Sequence, residues 1–290
     1  MDKPFALMPP APRAPAKSLP KGACDAHVHL VAGADEFQLW EGRVENPAPG
    51  PDFDQWMNLY RQHLEIMGFE RGVIVHSILY GTDNSVTVEA LRQMGKGFKG
   101  VGLLPDGASK TALDQFVDWN MCAVRLNYVH GGVLTWDGAK AMAPALADRG
   151  LHIQMLCHAD QHMDQLADDI RALPVPVVFD HIAWPSGALS ADAAGIDALC
   201  ALLADGHVWV KLSAIYRMCE APYSDVAALI ARLINANPER CLWGSDWPHL
   251  MLNGAQMPHA ADLLDALDAV ASDAQRHAIL VDNPATLFGF

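Results

Sequence analysis

Positive charge is scarce in this 290-residue chain: 20 Lys and Arg stand against 34 Asp and Glu, a formal net charge of −14 with histidine neutral. Non-specific nucleic-acid binding needs clustered cations to meet phosphates, so no nucleic-acid partner is expected. The same excess repels an anionic small molecule at long range, and such a ligand needs local arginines to hold it. No uncharged apolar run reaches the roughly 18 residues of a membrane-spanning helix. The opening residues, MDKPFALMPPAPRAPAKSLPKG, lack the continuous apolar core of a secretory signal and read as an extended Pro- and Ala-rich arm over 1–22. The six cysteines (Cys24, Cys122, Cys157, Cys200, Cys219 and Cys241) form no C-x-x-C pair. Reduced thiols and a cytoplasmic location are therefore expected, in a monomer or small homo-oligomer.

What is there reads as one large domain over 23–290. Eight segments are mostly apolar, carry β-formers and lie near Gly or Pro: 24–30, 72–80, 99–105, 122–129, 151–159, 176–182, 207–214 and 241–247. Near-continuous apolar runs suit strands covered on both faces, as in a parallel sheet. Between them lie stretches with apolar residues three and four apart, at 85–95, 109–120, 136–150, 162–173, 195–206 and 225–237, with two more helices toward the C-terminus. Strand–helix alternation repeated eight times predicts an α/β fold, a (β/α)8 TIM barrel. The long stretch 31–70 predicts an elaboration between the first two strands, with a helix over 52–68.

Polar residues gather at the C-terminal ends of these strands, where such a barrel builds its site. His27 and His29 are two apart and so share a strand face; they suit a metal half-site, an oxyanion-binding pair, or a satisfied polar pair at a strand end. Asp25 shares their parity and is expected one layer deeper as a support. His181 ends the sixth strand and Asp246 the eighth, in WGSDWPH. Each alone is as readily structural, but four such residues on one rim point to catalysis. Arg125 and Asn127 share a face of the fourth strand, and a buried Arg125 needs a carboxylate from protein or substrate. Arg217 is a second candidate clamp, His249 lies close behind Asp246, and Tyr80, Thr82 and Asn84 line the second loop, although Thr82 suits a helix cap as well. His158 ends the fifth strand as a further candidate ligand.

CDAHVHL, DHIAWP and WGSDWPH, in this order, together with GTDN, VRLN, VWVKLS and the closing DNPATLFGF, resemble the amidohydrolase superfamily in its amidohydrolase 2 branch. Within it the chain is most similar to the lactonases of 2-pyrone-4,6-dicarboxylate and of sugar acids, from about residue 20 to the C-terminus. The resemblance implies that Asp246 activates water, that His27, His29 and His181 form the rest of the catalytic set, that Arg125 and Arg217 bind substrate carboxylates, and that His249 lies near the substrate. The fourth strand has no lysine to carbamylate, so a binuclear centre is not expected. The lactonases resembled most closely work without a metal, and none is expected to be required. If one is bound, a single Zn²⁺ on His27, His29, His158, His181 and Asp246 is the expectation. Trp184, His130 and Leu156 stand where the dicarboxylate lactonase has an arginine, a basic residue and a tyrosine, which implies a different substrate. The function implied is hydrolysis of a small carboxylated lactone, 2-pyrone-4,6-dicarboxylate-like or sugar-acid. The alternatives are a zinc-dependent decarboxylase of an aromatic or unsaturated acid, and a catalytically inert binding scaffold.

Overall fold

A computed structural model describes residues 3–185 and 194–290. Its eight parallel strands form one sheet in chain order: β1 (Cys24–Val28), β2 (Arg71–Val75), β3 (Phe98–Gly102), β4 (Met121–Asn127), β5 (His152–Leu156), β6 (Val177–Phe179), β7 (Val208–Leu212) and β8 (Cys241–Trp243). Helices α1 (Phe53–Met67), α2 (Ser85–Met94), α3 (Lys110–Asp118), α4 (Trp136–Ala147), α5 (Ala159–Ala172), α6 (Ala194–Ala204) and α7 (Ala227–Ala236) follow the first seven strands. α8 (Ala260–Asp268), α9 (Asp273–His277) and α10 (Asn283–Phe288) follow β8. The fold is the predicted barrel.

The strands are shorter than the apolar runs that announced them. β6 stops at Phe179 because the backbone turns left-handed immediately afterwards, with φ of 56°, 59°, 51° and 26° at His181, Ile182, Ala183 and Trp184. Helix ends follow local chemistry. α1 opens on a capping box, in which the Asp52 side chain accepts from the Gln55 N–H while the Gln55 side chain reaches back, and it closes on Gly68 at φ 92°.

Alternate residues of each strand serve two cores. The outward set, among it Ile74, Val124, Ile153, Phe179, Val210 and Trp243, packs under the helices. The inward set, among it Val73, Val101, Ala123, Val178, Trp209 and Leu242, fills the lower barrel, where Phe288 of α10 closes it. Above this apolar plug the inward positions turn polar: Gln154, Lys211, Asp180 and His27 are all completely buried. β1 departs from simple alternation. Its register against β2 shifts between Asp25 and Val28, and Asp25 faces α1, with Oδ2 3.8 Å from His63 Nε2, while His27 faces the barrel interior. The support role foreseen for Asp25 is exerted from the opposite face.

The barrel closes where β8 returns to β1. The His29 N–H donates to the Trp247 carbonyl at 2.7 Å and the Asp246 N–H to the His27 carbonyl at 2.9 Å. Asp25 Oδ1 staples the same seam, accepting from the backbone N–H of His27 at 3.2 Å and of Ser245 at 2.9 Å. Gly244 lets the strands approach, because a Cβ there would lie 2.5 Å from the Cβ of His27 and 2.8 Å from its backbone nitrogen.

The N-terminal arm runs along the last helices. Arg13 pairs with Asp262 and Lys17 with Asp273, while Arg276 donates to the carbonyls of Ser18 at 3.1 Å and Lys17 at 3.0 Å. The segment between β1 and α1 is tied over the mouth. Tyr80 Oη accepts from the Ala32 N–H at 2.6 Å and donates to its carbonyl at 2.8 Å, and the Met251 N–H donates to Glu45 at 2.5 Å. Among the described residues no helix is long and apolar enough to cross a membrane. Gly244→Ala is expected to lower the unfolding free energy by about 1–3 kcal/mol through overpacking of the seam. Denaturant melts of the two proteins measure this, and equal midpoints would refute the tight fit.

Candidate active site

The seam delivers His27, His29 and Asp246 to one point, and the end of β6 adds His181. His27 Nε2 lies 3.3 Å from His29 Nε2. Asp246 Oδ1 lies 3.6 Å from His27 Nε2 and 3.4 Å from His29 Nε2. The His27 and His181 rings sit 4.8 Å apart, centroid to centroid. Asp246 (φ 62°) and His181 (φ 56°) both hold left-handed backbone. Residues other than glycine rarely adopt it, and such strain concentrates at functional sites.

The polar atoms around Asp246 and His29 are held by identifiable partners. Asp246 Oδ2 accepts from the Tyr216 hydroxyl at 2.6 Å and from the Arg217 guanidinium at 3.1 Å, which leaves Oδ1 turned to the imidazoles. Burial alone would raise this carboxyl, but His181, His29, Arg217 and His27 together hold it well below the ordinary carboxylate range. A carbonyl can only accept, so the 2.7 Å contact between His29 Nδ1 and the Val75 oxygen is an N–H donation. A neutral His29 therefore presents a bare Nε2 to the pocket and has no proton there to give an oxyanion. His181 Nδ1 bonds the Ser213 hydroxyl at 3.0 Å. Burial pushes His181 down to about 4 against the opposing pull of Asp246 and Asp180. The pocket at neutral pH thus holds an ionised carboxylate beside a neutral His181.

Directly beneath lies a layer that sequence reasoning missed. Asp180, Lys211 and Gln154 are wholly buried. Asp180 Oδ1 is 3.2 Å from His27 Nδ1 and 3.5 Å from Lys211 Nζ, and Lys211 donates to Gln154 Oε1 at 2.6 Å. The available signals were the acid immediately before His181 in FDH and the single charge inside VWVKLS.

The residues foreseen for substrate have varied places. Arg125 donates to the His76 carbonyl at 3.0 Å and lies 3.6 Å from Asp180 Oδ2, with its side chain 14% exposed. Both terminal nitrogens of Arg217 are engaged by protein, since it also donates to the Leu250 and Met251 carbonyls at 2.7 and 2.6 Å and to Tyr216 Oη at 2.8 Å. It holds Asp246 rather than standing open as a clamp. His249 is buried against the Tyr216 ring, 5.3 Å between centroids, and burial pushes it down to about 3. Asn127 Oδ1 accepts from the Val129 and His130 N–H groups and shapes its own turn. Tyr80 is spent on Ala32. Thr82 is exposed beside a hollow of about 590 Å³ walled by Phe37, Phe116 and Trp119, away from the catalytic cluster. His158 Nδ1 donates to the Trp184 carbonyl at 2.6 Å, and it is not among the groups whose ligand atoms converge. A second hollow, of about 520 Å³, opens beside Tyr216 and Arg217 and is lined by Trp184, Met218, Leu252 and His259. Arg217→Met separates the two roles. A holder of Asp246 predicts kcat down about tenfold or more with KM little moved, whereas a substrate clamp predicts the change in KM. Steady-state kinetics decide.

The Amidohydrolase family model (Amidohydro_2) matches residues 24–290. A 4-sulfomuconolactone hydrolase of Rhizobium radiobacter is 34% identical over 279 residues, covering 94% of this chain and 91% of its own. A 2-pyrone-4,6-dicarboxylate hydrolase of Comamonas testosteroni is 30% identical over 291 residues, covering 96% and 93%. In fold, the crystal structure of an Agrobacterium tumefaciens protein in its apo form superposes with a TM-score of 0.82 at 22% identity, over 97% of this chain and 98% of that one. With the barrel, the seam and the converging His27, His29, His181 and Asp246 in view, the chain belongs to the amidohydrolase family.

Proposed function

We propose that this protein hydrolyses a small anionic lactone, with Asp246 as the base that activates water. One observation carries the reading: Asp246 keeps Oδ1 within 3.6 Å of two imidazole nitrogens while Tyr216 and Arg217 pin Oδ2. One carboxylate oxygen is thus held and the other is aimed into the pocket. The relatives' names support the substrate class, since both denote hydrolases of cyclic esters that carry acid groups.

Asp246 Oδ1 takes a proton from water as the water oxygen attacks the lactone carbonyl. The ring C–O bond then breaks, and Asp246 returns the proton to the departing alkoxide, giving a hydroxy acid. The magnitudes constrain this step. Even an ordinary carboxylate lies about 12 pK units below water, about 16 kcal/mol, and Asp246 is weaker still as a base. Full deprotonation before attack is out of reach, so proton transfer must accompany bond formation or act on acidified water.

The acid group of the substrate meets Arg125 in this reading. Lys211 and Arg125 share the single carboxylate of Asp180, and the surplus positive charge lies on the more exposed Arg125. An anionic ligand balances it.

The donor set also fits one divalent ion. His27, His29 and Asp246 each offer a ligand atom, all within 4.8 Å of one another, and two imidazoles with one carboxylate leave a position open, the pattern of a catalytic zinc. Held there by His27, His29 and Asp246, such an ion would supply carbonyl polarisation and would acidify the attacking water. Its need is decided by metal analysis of the purified protein alongside activity in chelator. Stoichiometric zinc whose removal abolishes turnover assigns it a role, and turnover untouched by chelator on metal-free protein rejects it.

Asp246→Asn is expected to lower kcat on a responsive lactone by about 10²-fold or more with the fold retained. Undiminished turnover in that variant would remove Asp246 from the reaction.

A further inference from the structure

His27 stands between two carboxylates. Asp246 faces its Nε2 at 3.6 Å and Asp180 faces its Nδ1 at 3.2 Å. One proton must therefore be allotted between two nitrogens, and the neighbours of Nδ1 pull in opposite directions. Asp180 Oδ1 can only accept, whereas Lys211 Nζ, 3.3 Å away, can only donate.

We propose that Asp180 is a positioning residue that keeps the proton of His27 on Nδ1, so that a bare Nε2 faces the pocket. Lys211 has another acceptor, the Gln154 side-chain oxygen at 2.6 Å. Asp180 Oδ1 has no well-formed hydrogen bond among the described residues. It is wholly buried, and an ionised oxygen left there without a hydrogen bond is more costly than a tolerated His–Lys contact. Asp246 already has two hydrogen-bond donors, Tyr216 and Arg217, on its Oδ2, whereas the side-chain hydrogen bond to Asp180 comes from Gln154. Gln154 locks the arrangement. Its Oε1 must face the lysine, which turns its Nε2 to donate to Asp180 Oδ2 at 3.1 Å, and Arg125 approaches the same oxygen at 3.6 Å. Three strand residues, Gln154, Lys211 and Arg125, thus hold one carboxylate so that it can hold one imidazole proton. With His29 Nδ1 spent on Val75, both imidazoles of the first strand turn acceptors toward Asp246 Oδ1. That arrangement calls for a donor, water or cation, between them.

The kinetic consequence rests on the proposed lactonase reading, but the proton position does not. In protein labelled with ¹⁵N-histidine, two-bond ¹H–¹⁵N correlation spectra at fixed neutral pH report which nitrogen of His27 is protonated, its signals being assigned by their loss in His27→Asn. The expected wild-type result is the Nδ1–H form; the Nε2–H form overturns the proposal. In Asp180→Asn the Nδ1–H form should give way to the other tautomer or a mixture, with kcat falling about 10–100-fold and KM within a few-fold, while Asp180→Glu restores part of both. An unaltered His27 signal in folded Asp180→Asn overturns the assignment. Should that variant fail to fold, Asp180→Asn with Lys211→Met removes both buried charges together and reads the same signal. A tautomer change in a protein that opens no lactone upholds the positioning role and sinks only the substrate reading.

Discussion

Closing the seam between the first and last strands and assembling the catalytic cluster are the same event. The two backbone bonds that close the barrel start at the N–H groups of His29 and Asp246, so neither residue can reach its place unless the ends of the sheet meet. Each such bond is worth only about 1 kcal/mol net. Holding Asp246 in left-handed backbone costs about 1–3 kcal/mol. The local balance is thus near zero, and the surrounding hydrophobic core supplies the margin. Gly244 and Asp25 serve the seam without touching the pocket, one by the absence of a side chain and the other by joining His27 to Ser245 through one carboxylate oxygen.

Three aspartates bracket His27, and their neighbours give them different work. Asp25, toward α1, bonds backbone and holds geometry. Asp180, below, is surrounded by Lys211, Arg125 and the His27 ring, which overcome burial and hold it well below the ordinary carboxylate range. Asp246, above, is similarly depressed, but only its Oδ2 is engaged by charged and hydroxyl donors. A weak base with one oxygen left toward the pocket is poorly matched to strip bulk water and well matched to guide a proton between a polarised water and a leaving alkoxide. The same depression, set by His181, His29, Arg217 and His27 against the cost of burial, keeps it ionised across the neutral range.

The sequence made the architecture legible because both of its signals are periodic. Eight apolar runs alternated with helical spacing, and each became a strand. The rim residues were legible because they interrupt those runs at the C-terminal ends. The buried layer was not, since Lys211 and Asp180 interrupt apolar strands just as a surface-facing charge would, and only the convergence of β5, β6, β7 and β1 pairs them. The face of Asp25 was misjudged for a related reason. Parity assumes an unbroken strand, and the register shift between Asp25 and Val28 puts Asp25 and His27 on different faces. Arg217 looked like a clamp because nothing in its neighbourhood along the chain offered acceptors. Those acceptors, Leu250, Met251 and Asp246, come from the loop after β8, some thirty residues later.

The distribution of charge carries a last consequence. The chain as a whole is strongly negative, yet the interior at the strand ends gathers Lys211, Arg125 and Arg217 around Asp180 and Asp246, and Arg125 is the most exposed of the three cations. At more than a Debye length, about 8 Å at physiological salt, the outer field is largely screened, so repulsion between protein and anion acts mainly at the surface. At short range inside the mouth the nearby cations count for more than the distant net charge. An anion therefore meets repulsion at the exterior, while Arg125 is a partly exposed cation within.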